Sequence, residues 1–171
     1  TTNRFFVDAS SWYHVVVSID TTQATEADRI KLYINGVQET SFSSASYPSQ
    51  NYTMEGLFYS GRNMYIGSQG GGNYFSGVMS DINVIDGTAY QASTFGSTNT
   101  TSGEWTPNAS PSVNYGANGF KLSFEDTSNL GDDTSGNTND WTLAGSGTST
   151  LDCPSNNFAT WDTSDRWLGN T

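Results

Sequence analysis

The stretch WYHVVVSIDTTQATEADRIKLYINGV, Trp12 to Val37, constrains the fold more than any other part of the chain. It holds two segments of alternating character. In the first, Tyr13, Val15, Val17 and Ile19 share one side and His14, Val16, Ser18 and Asp20 the other. In the second, Ile30, Leu32 and Ile34 oppose Arg29, Lys31 and Tyr33. A period of two, carried by β-branched and aromatic residues, is the pattern of strands with one core face. Asn35-Gly36 then supplies two residues that tolerate positive φ, as a two-residue hairpin turn requires. If Ile34 faces Val37 across that turn, Glu39 and Ser41 take the core side and Phe42 does not. A short or bulged edge strand over Val37 to Phe42 reconciles the pattern.

Composition agrees with short strands and many turns. Only 34% of the 171 residues are hydrophobic, so the chain supports one sizeable core. No long stretch carries apolar residues at helical spacing, which argues against a bundle. The expected class is all-β. Six basic residues against 17 acidic ones give a net charge of −11. That balance argues against nucleic acid and against an anionic membrane surface, both of which need basic patches. No apolar run is long enough to cross a bilayer. Cys153 stands alone, so no internal disulfide framework exists, and a buried small residue is the expected role.

Further strands are expected at Phe5 to Val7, at Met64 to Ile66, at Phe75 to Ile85 and at Phe120 to Glu125. In the third of these, Val78, Ile82 and Val84 share a face; in the last, Phe120, Leu122 and Phe124 point inward. The turn-like Asp8-Ala9-Ser10-Ser11 precedes the first long strand. Ala92 to Phe95 reads as one helical turn closed by Gly96. Ser97 to Pro111 reads as a loop anchored by Trp105 and Pro107. Beyond Asp126 the alternation fades. The compact domain is therefore expected over residues 1–126, with 127–171 as a Gly/Ser/Thr/Asn-rich extension or linker.

The ordered set WYHVVVSID, KLYINGV and YFSGVMSDINVIDGTAY resembles part of a laminin-G-like, concanavalin A-like jelly-roll domain. With FGSTNTTSGEWTP and YGANGFKLSFED added, the set is similar to the version found in structural proteins of tailed, especially marine, bacteriophages. DCPSNNFATWD resembles a junction leading into a second β-sandwich module. The resemblance implies an antiparallel β-sandwich and a virion component (tail, fibre or capsid-associated), present in repeated copies among other structural proteins. It also implies that the opening strands of the jelly roll lie upstream or come from another chain. A role in host attachment, through host surface glycans, would follow. Fold alone does not give function, because this jelly roll serves lectins, glycosidases and structural spacers alike.

A glycosidase needs two carboxyl groups at a set separation. Asp81 has Met79 and Asn83 as its same-face neighbours, and Glu125 and Asp126, being adjacent, would point to opposite faces of a strand. His14 is the sole histidine, so neither a triad nor a multi-histidine metal site can be built from this chain; a structural bond to nearby backbone is its expected role. Gly70-Gly71-Gly72 lacks the lysine of a phosphate loop. The chain is accordingly expected not to be an enzyme, and no catalytic, cofactor or metal residue is assigned.

The alternative to a structural role is a calcium-assisted lectin that binds host surface glycans, with an endoglycanase ranked below it, and two sets of residues bear on the lectin. Asp132, Asp133, Asn137, Asn139 and Asp140 supply hard oxygens suited to calcium, at a spacing that is not an EF-hand's. Their alternative use is to cap local backbone in turns, and that use is favoured. Tyr47, Tyr52, Tyr59, Tyr74 and Trp105 lie in or beside loops and are the candidate platforms for a glycan, with Trp105 also an anchor. The sequons at Asn51, Asn99 and Asn108 bear on the chain only in a eukaryotic secretory setting.

Overall fold

The computed structural model describes residues 1–8, 10–54, 63–70, 72–145 and 147–154. Its elements are almost all strands. They are β1 (Val15–Ile19), β2 (Ile30–Ile34), β3 (Val37–Glu39), β4 (Ile82–Val84), β5 (Gly96–Thr98), β6 (Trp105–Pro107) and β7 (Phe120–Leu122). Two 3-10 turns, Glu26–Asp28 and Ala92–Thr94, are the helical elements described. The strands make three antiparallel sheets, ordered β1-β2-β3, β4-β7 and β5-β6.

The opening hairpins form as the alternation requires. Val15 sits opposite Ile34, Val17 opposite Leu32 and Ile19 opposite Ile30. Ile34 then faces Val37 across Asn35-Gly36, both in the left-handed region, and Leu32 faces Glu39. The third strand is short, three residues, because its apolar alternation ends there. Residues Thr1 to Asn3 continue that edge: Thr2 bridges Phe42, and the Asn3 N–H donates to the Ser41 carbonyl at 3.0 Å.

The faces of this sheet differ from the expected assignment. Ile34 is buried, but its neighbours Val15, Val17 and Val37 are 54%, 56% and 63% exposed. On the opposite side Tyr33 and Ser18 are buried as well. The reason is what lies over that side: the Tyr33 hydroxyl bonds the Gln91 side chain, and the His14 ring lies 5.7 Å from Trp105. Glu39, on the valine side as expected, is buried by an ion pair to the Arg4 guanidinium at 2.7 Å.

Several expected strands are shorter or absent. Phe5 to Val7 forms none and is exposed, and neither does Met64 to Ile66. Of Phe75 to Ile85 only Ile82–Val84 pairs; Asp81 has φ +49, which breaks the extended chain just before it, and Phe75 and Val78 are exposed. The last strand stops at Leu122, since Phe124 has φ +58. Phe120 and Leu122 are buried as expected, with Val84 and Ile82 opposite them. Ala92–Thr94 is the expected turn, but Gly96 opens β5 rather than capping it. The segment read as a loop from Ser97 contains a hairpin, with Gly96 opposite Pro107 and Thr98 opposite Trp105. Trp105 is an anchor, lying against Gly36 and Gly96.

Candidate functional site

The polar cluster beyond β7 is the most ordered group of candidate residues. The segment expected to begin an extension folds back on the strand: Leu122 bridges Asp133, the Thr134 N–H donates to the Lys121 carbonyl at 2.9 Å, and Trp141 packs 4.9 Å from the Phe120 ring. Asp133 is its centre and is 7% exposed. One carboxylate oxygen accepts the backbone N–H groups of Lys121 (2.8 Å) and Ser135 (2.9 Å). The other accepts the Ser135 hydroxyl (2.9 Å) and the Asn139 N–H (2.8 Å). Burial acts to raise the Asp133 pKa, but the hydrogen bonds from Lys121, Ser135 and Asn139 outweigh it and hold the carboxyl below its ordinary value.

This geometry is that of the capping use of the cluster. A carboxylate offers about four lone-pair directions, and four donors already use them. Asp140 accepts the Asp133 N–H at 3.0 Å. Asn137 and Asn139 turn their amide nitrogens, not their oxygens, toward the Gly116, Ala117 and Gly119 carbonyls. Asp132 contributes its backbone N–H to the Asn129 carbonyl. The five residues are thus a backbone clamp that ties the loop after β7 to the loop before it. Among the described residues no group of three or more acidic, histidine or cysteine side chains is placed to hold a metal ion.

Other carboxylates have similar local work. Asp8 accepts from Ser10 and Ser11, Asp20 from Thr22 and Gln23, and Asp126 from Ser128. Side-chain hydrogen bonds, from Ser10, Thr22 and Ser128 respectively, lead in lowering their pKa values. The Arg4 hydrogen bond does the same for Glu39. Among the described residues the carboxyls of Asp8, Asp20, Glu39, Asp126 and Asp133 are shifted down. Asp81 takes a bond from the neighbouring Ser80 hydroxyl at 2.8 Å, and Glu125 and Asp126 follow the end of β7 rather than lying on it.

His14 differs from its expected role. Its backbone, not its ring, meets Asn35: the N–H donates to Asn35 Oδ1 and the carbonyl accepts the Asn35 N–H, both at 2.8 Å. The ring's Nδ1 and the neighbouring Trp105 Nε1 are both buried and meet no hydrogen-bond partner among the described residues. Burial holds the imidazole pKa below its ordinary value. Nothing in the alternation of β1 could have forecast this pairing, because Trp105 arrives from a hairpin hidden in polar sequence.

The candidate aromatic platforms do not converge on one described cavity. Trp105 is taken by packing, Tyr47 is half-buried, and Tyr52 and Tyr74 are exposed, the latter by 77%. Tyr59 lies outside the described residues, as do Gly71 and most of DCPSNNFATWD. Cys153 is half-buried. Asn99 and Asn108 cap turns through Thr101 and Ser110. A shallow depression of about 430 Å³ lies between the end of β1 (Ile19 to Thr21) and the segment after β4 (Ile85, Gly87 to Ala89). Its one acidic side chain, Asp20, is spent on its own turn.

A family model, described as the concanavalin A-like lectin/glucanases superfamily, matches residues 2–93. No curated protein and no solved structure matches the chain.

Proposed function

The chain belongs to the concanavalin A-like lectin/glucanase superfamily. We propose that it is a non-catalytic β-sandwich module of a virion. Its place would be a tail, fibre or capsid-associated component of a tailed phage, present in repeated copies beside other structural proteins. One observation supports the non-catalytic reading: the carboxylates of Asp8, Asp20, Asp126 and Asp133 accept hydrogen bonds within their own turns, and Glu39 pairs with Arg4. The ordered motifs from WYHVVVSID to YGANGFKLSFED support the particle. Mass spectrometry of purified virions tests it. The chain is expected among the structural proteins, and its absence from particles whose genome encodes it would refute the assignment.

Exposed Tyr52 and Tyr74 favour a second reading, recognition of host surface glycans. An aromatic ring exposed beside a loop offers an apolar face to a sugar. A glycan array run with and without chelator tests this. Binding indifferent to chelator is expected, because the clamp around Asp133 needs no cation; no binding by folded protein removes the reading.

A further inference from the structure

We propose that His14 and Trp105 form an acid-sensitive latch: protonation of the His14 ring releases the Trp105 indole from the β2-β3 turn and frees the β5-β6 hairpin from the first sheet. The indole joins these two parts of the fold. It lies against Gly36 of the turn and against Gly96 of its own hairpin, where an added Cβ would stand 2.6 Å from its Cζ2 atom. The His14 ring lies beside it, with centroids 5.7 Å apart and planes tilted by 34°. Two hydrogen bonds tie the His14 backbone to Asn35, so the strand holds its register while the ring responds.

Two nitrogens make the contact sensitive to acid. His14 Nδ1 and Trp105 Nε1 are both buried, and neither meets a partner among the described residues. An indole nitrogen only donates, whereas a neutral imidazole with its proton on Nε2 presents Nδ1 as an acceptor. Protonation turns Nδ1 into a second buried donor beside the first. A buried charge without a hydrogen-bond partner is costly, and that cost outweighs the attraction of a cation for an indole. Among the described residues no carboxylate pairs with the ring to offset it. Of the charged and titratable groups on the surrounding elements, Lys31 pairs with Asp28, Arg29 donates to the Gln23, Ala24 and Pro48 carbonyls, and Asp20 caps its own turn. The Tyr33 hydroxyl bonds Gln91, Tyr13 packs on Phe6, and Glu104 is exposed. Burial is therefore what acts on the imidazole, and it favours the neutral form. Once released, the ring takes up its proton in water. The latch requires nothing of the virion role and survives its failure.

An NMR titration of the whole chain from about pH 8 to about pH 5 tests the latch. His14 is the sole histidine, so its ring protons are read without ambiguity. Their midpoint is expected below the ordinary value of about 6.5. The Trp105 indole N–H, assigned with Trp105→Phe, and the Gly36 and Gly96 amides should shift with the same midpoint. Between that midpoint and the ordinary value, the open fraction of the β5-β6 hairpin should grow about tenfold per pH unit, read by amide exchange corrected for pH. The Lys121, Ser135 and Asn139 amides around Asp133 should keep their protection. In His14→Gln the hairpin should stay equally protected across the range. An ordinary or raised His14 midpoint, Trp105 signals that ignore it, or strands that all open together would each overturn the proposal. The titration of the unaltered chain decides even if His14→Gln fails to fold.

Discussion

The indole of Trp105 lies so close to Gly36 that a Cβ at position 36 would stand 2.1 Å from its Cζ3 atom. The hairpin turn between β2 and β3 is thereby tied to β6, some seventy residues further along the chain. Gly36 meets two demands at once, a φ of +77 and the absence of a side chain. Gly36→Ala should destabilise the fold by about 3 kcal/mol in urea titration. In a Trp105→Ala background the same change should cost about 1 kcal/mol, the backbone strain alone. Equal costs in both backgrounds would show that the ring does not press on the turn.

The ring of His14 shares that contact, and burial lowers its pKa. A depressed folded-state value means that the fold favours the neutral imidazole. The resulting stability is full above the unfolded value near about 6.5 and is lost as pH falls through the folded value. Thermal melts from pH 8 to about pH 5 should show a fall in Tm that His14→Gln removes. A wild-type Tm that does not fall over that range would contradict the burial of the ring.

Asp133 holds four donors around β7. Asp133→Ala leaves them without an acceptor in a buried place and should cost about 2–3 kcal/mol. Its lowered pKa makes the clamp strong above the unfolded value of about 3.9 and weaker as pH falls through the folded one. Calcium or a chelator should leave the Tm unchanged, read by calorimetry, because the oxygens are already occupied. A rise in Tm with calcium that Asp133→Ala abolishes would restore the cation reading.

Trp141 caps the same arrangement, its ring 4.9 Å from Phe120 and its backbone N–H donating to the Gly131 carbonyl at 2.8 Å. Trp141→Ala should lower stability by about 2 kcal/mol and speed amide exchange in β7, followed by mass spectrometry. A variant as stable as the parent would mean that residues 129–141 add nothing to the fold around β7.

Where the sequence alternates, the strands were legible in advance. β1 and β2 follow from Val15 to Ile19 and Ile30 to Ile34, and the turn follows from Asn35-Gly36. Phe120 and Leu122 were readable as buried for the same reason. Periodicity says which residues share a face, but not which face is covered; Gln91 and Trp105 cover the side of Tyr33 and leave Val15 and Val17 exposed. Gly96–Thr98 and Trp105–Pro107 are not legible in the sequence because these strands carry few apolar residues to alternate. Positive φ at Asp81 and Phe124 cut two expected strands short, and neither residue type announces it. At the candidate site, Asp133 accepts four donors; the sequence shows Asx residues suited to capping but not which backbone groups they meet.

Hydrolysis offers the most direct test of the non-catalytic reading. Folded protein incubated with bacterial polysaccharides and β-glucans, over pH 4 to about pH 8 where paired carboxyls would titrate, should release no reducing ends above a heat-inactivated control. Release that rises with enzyme concentration and disappears on Asp81→Asn or Glu125→Gln, with the fold intact, would contradict it.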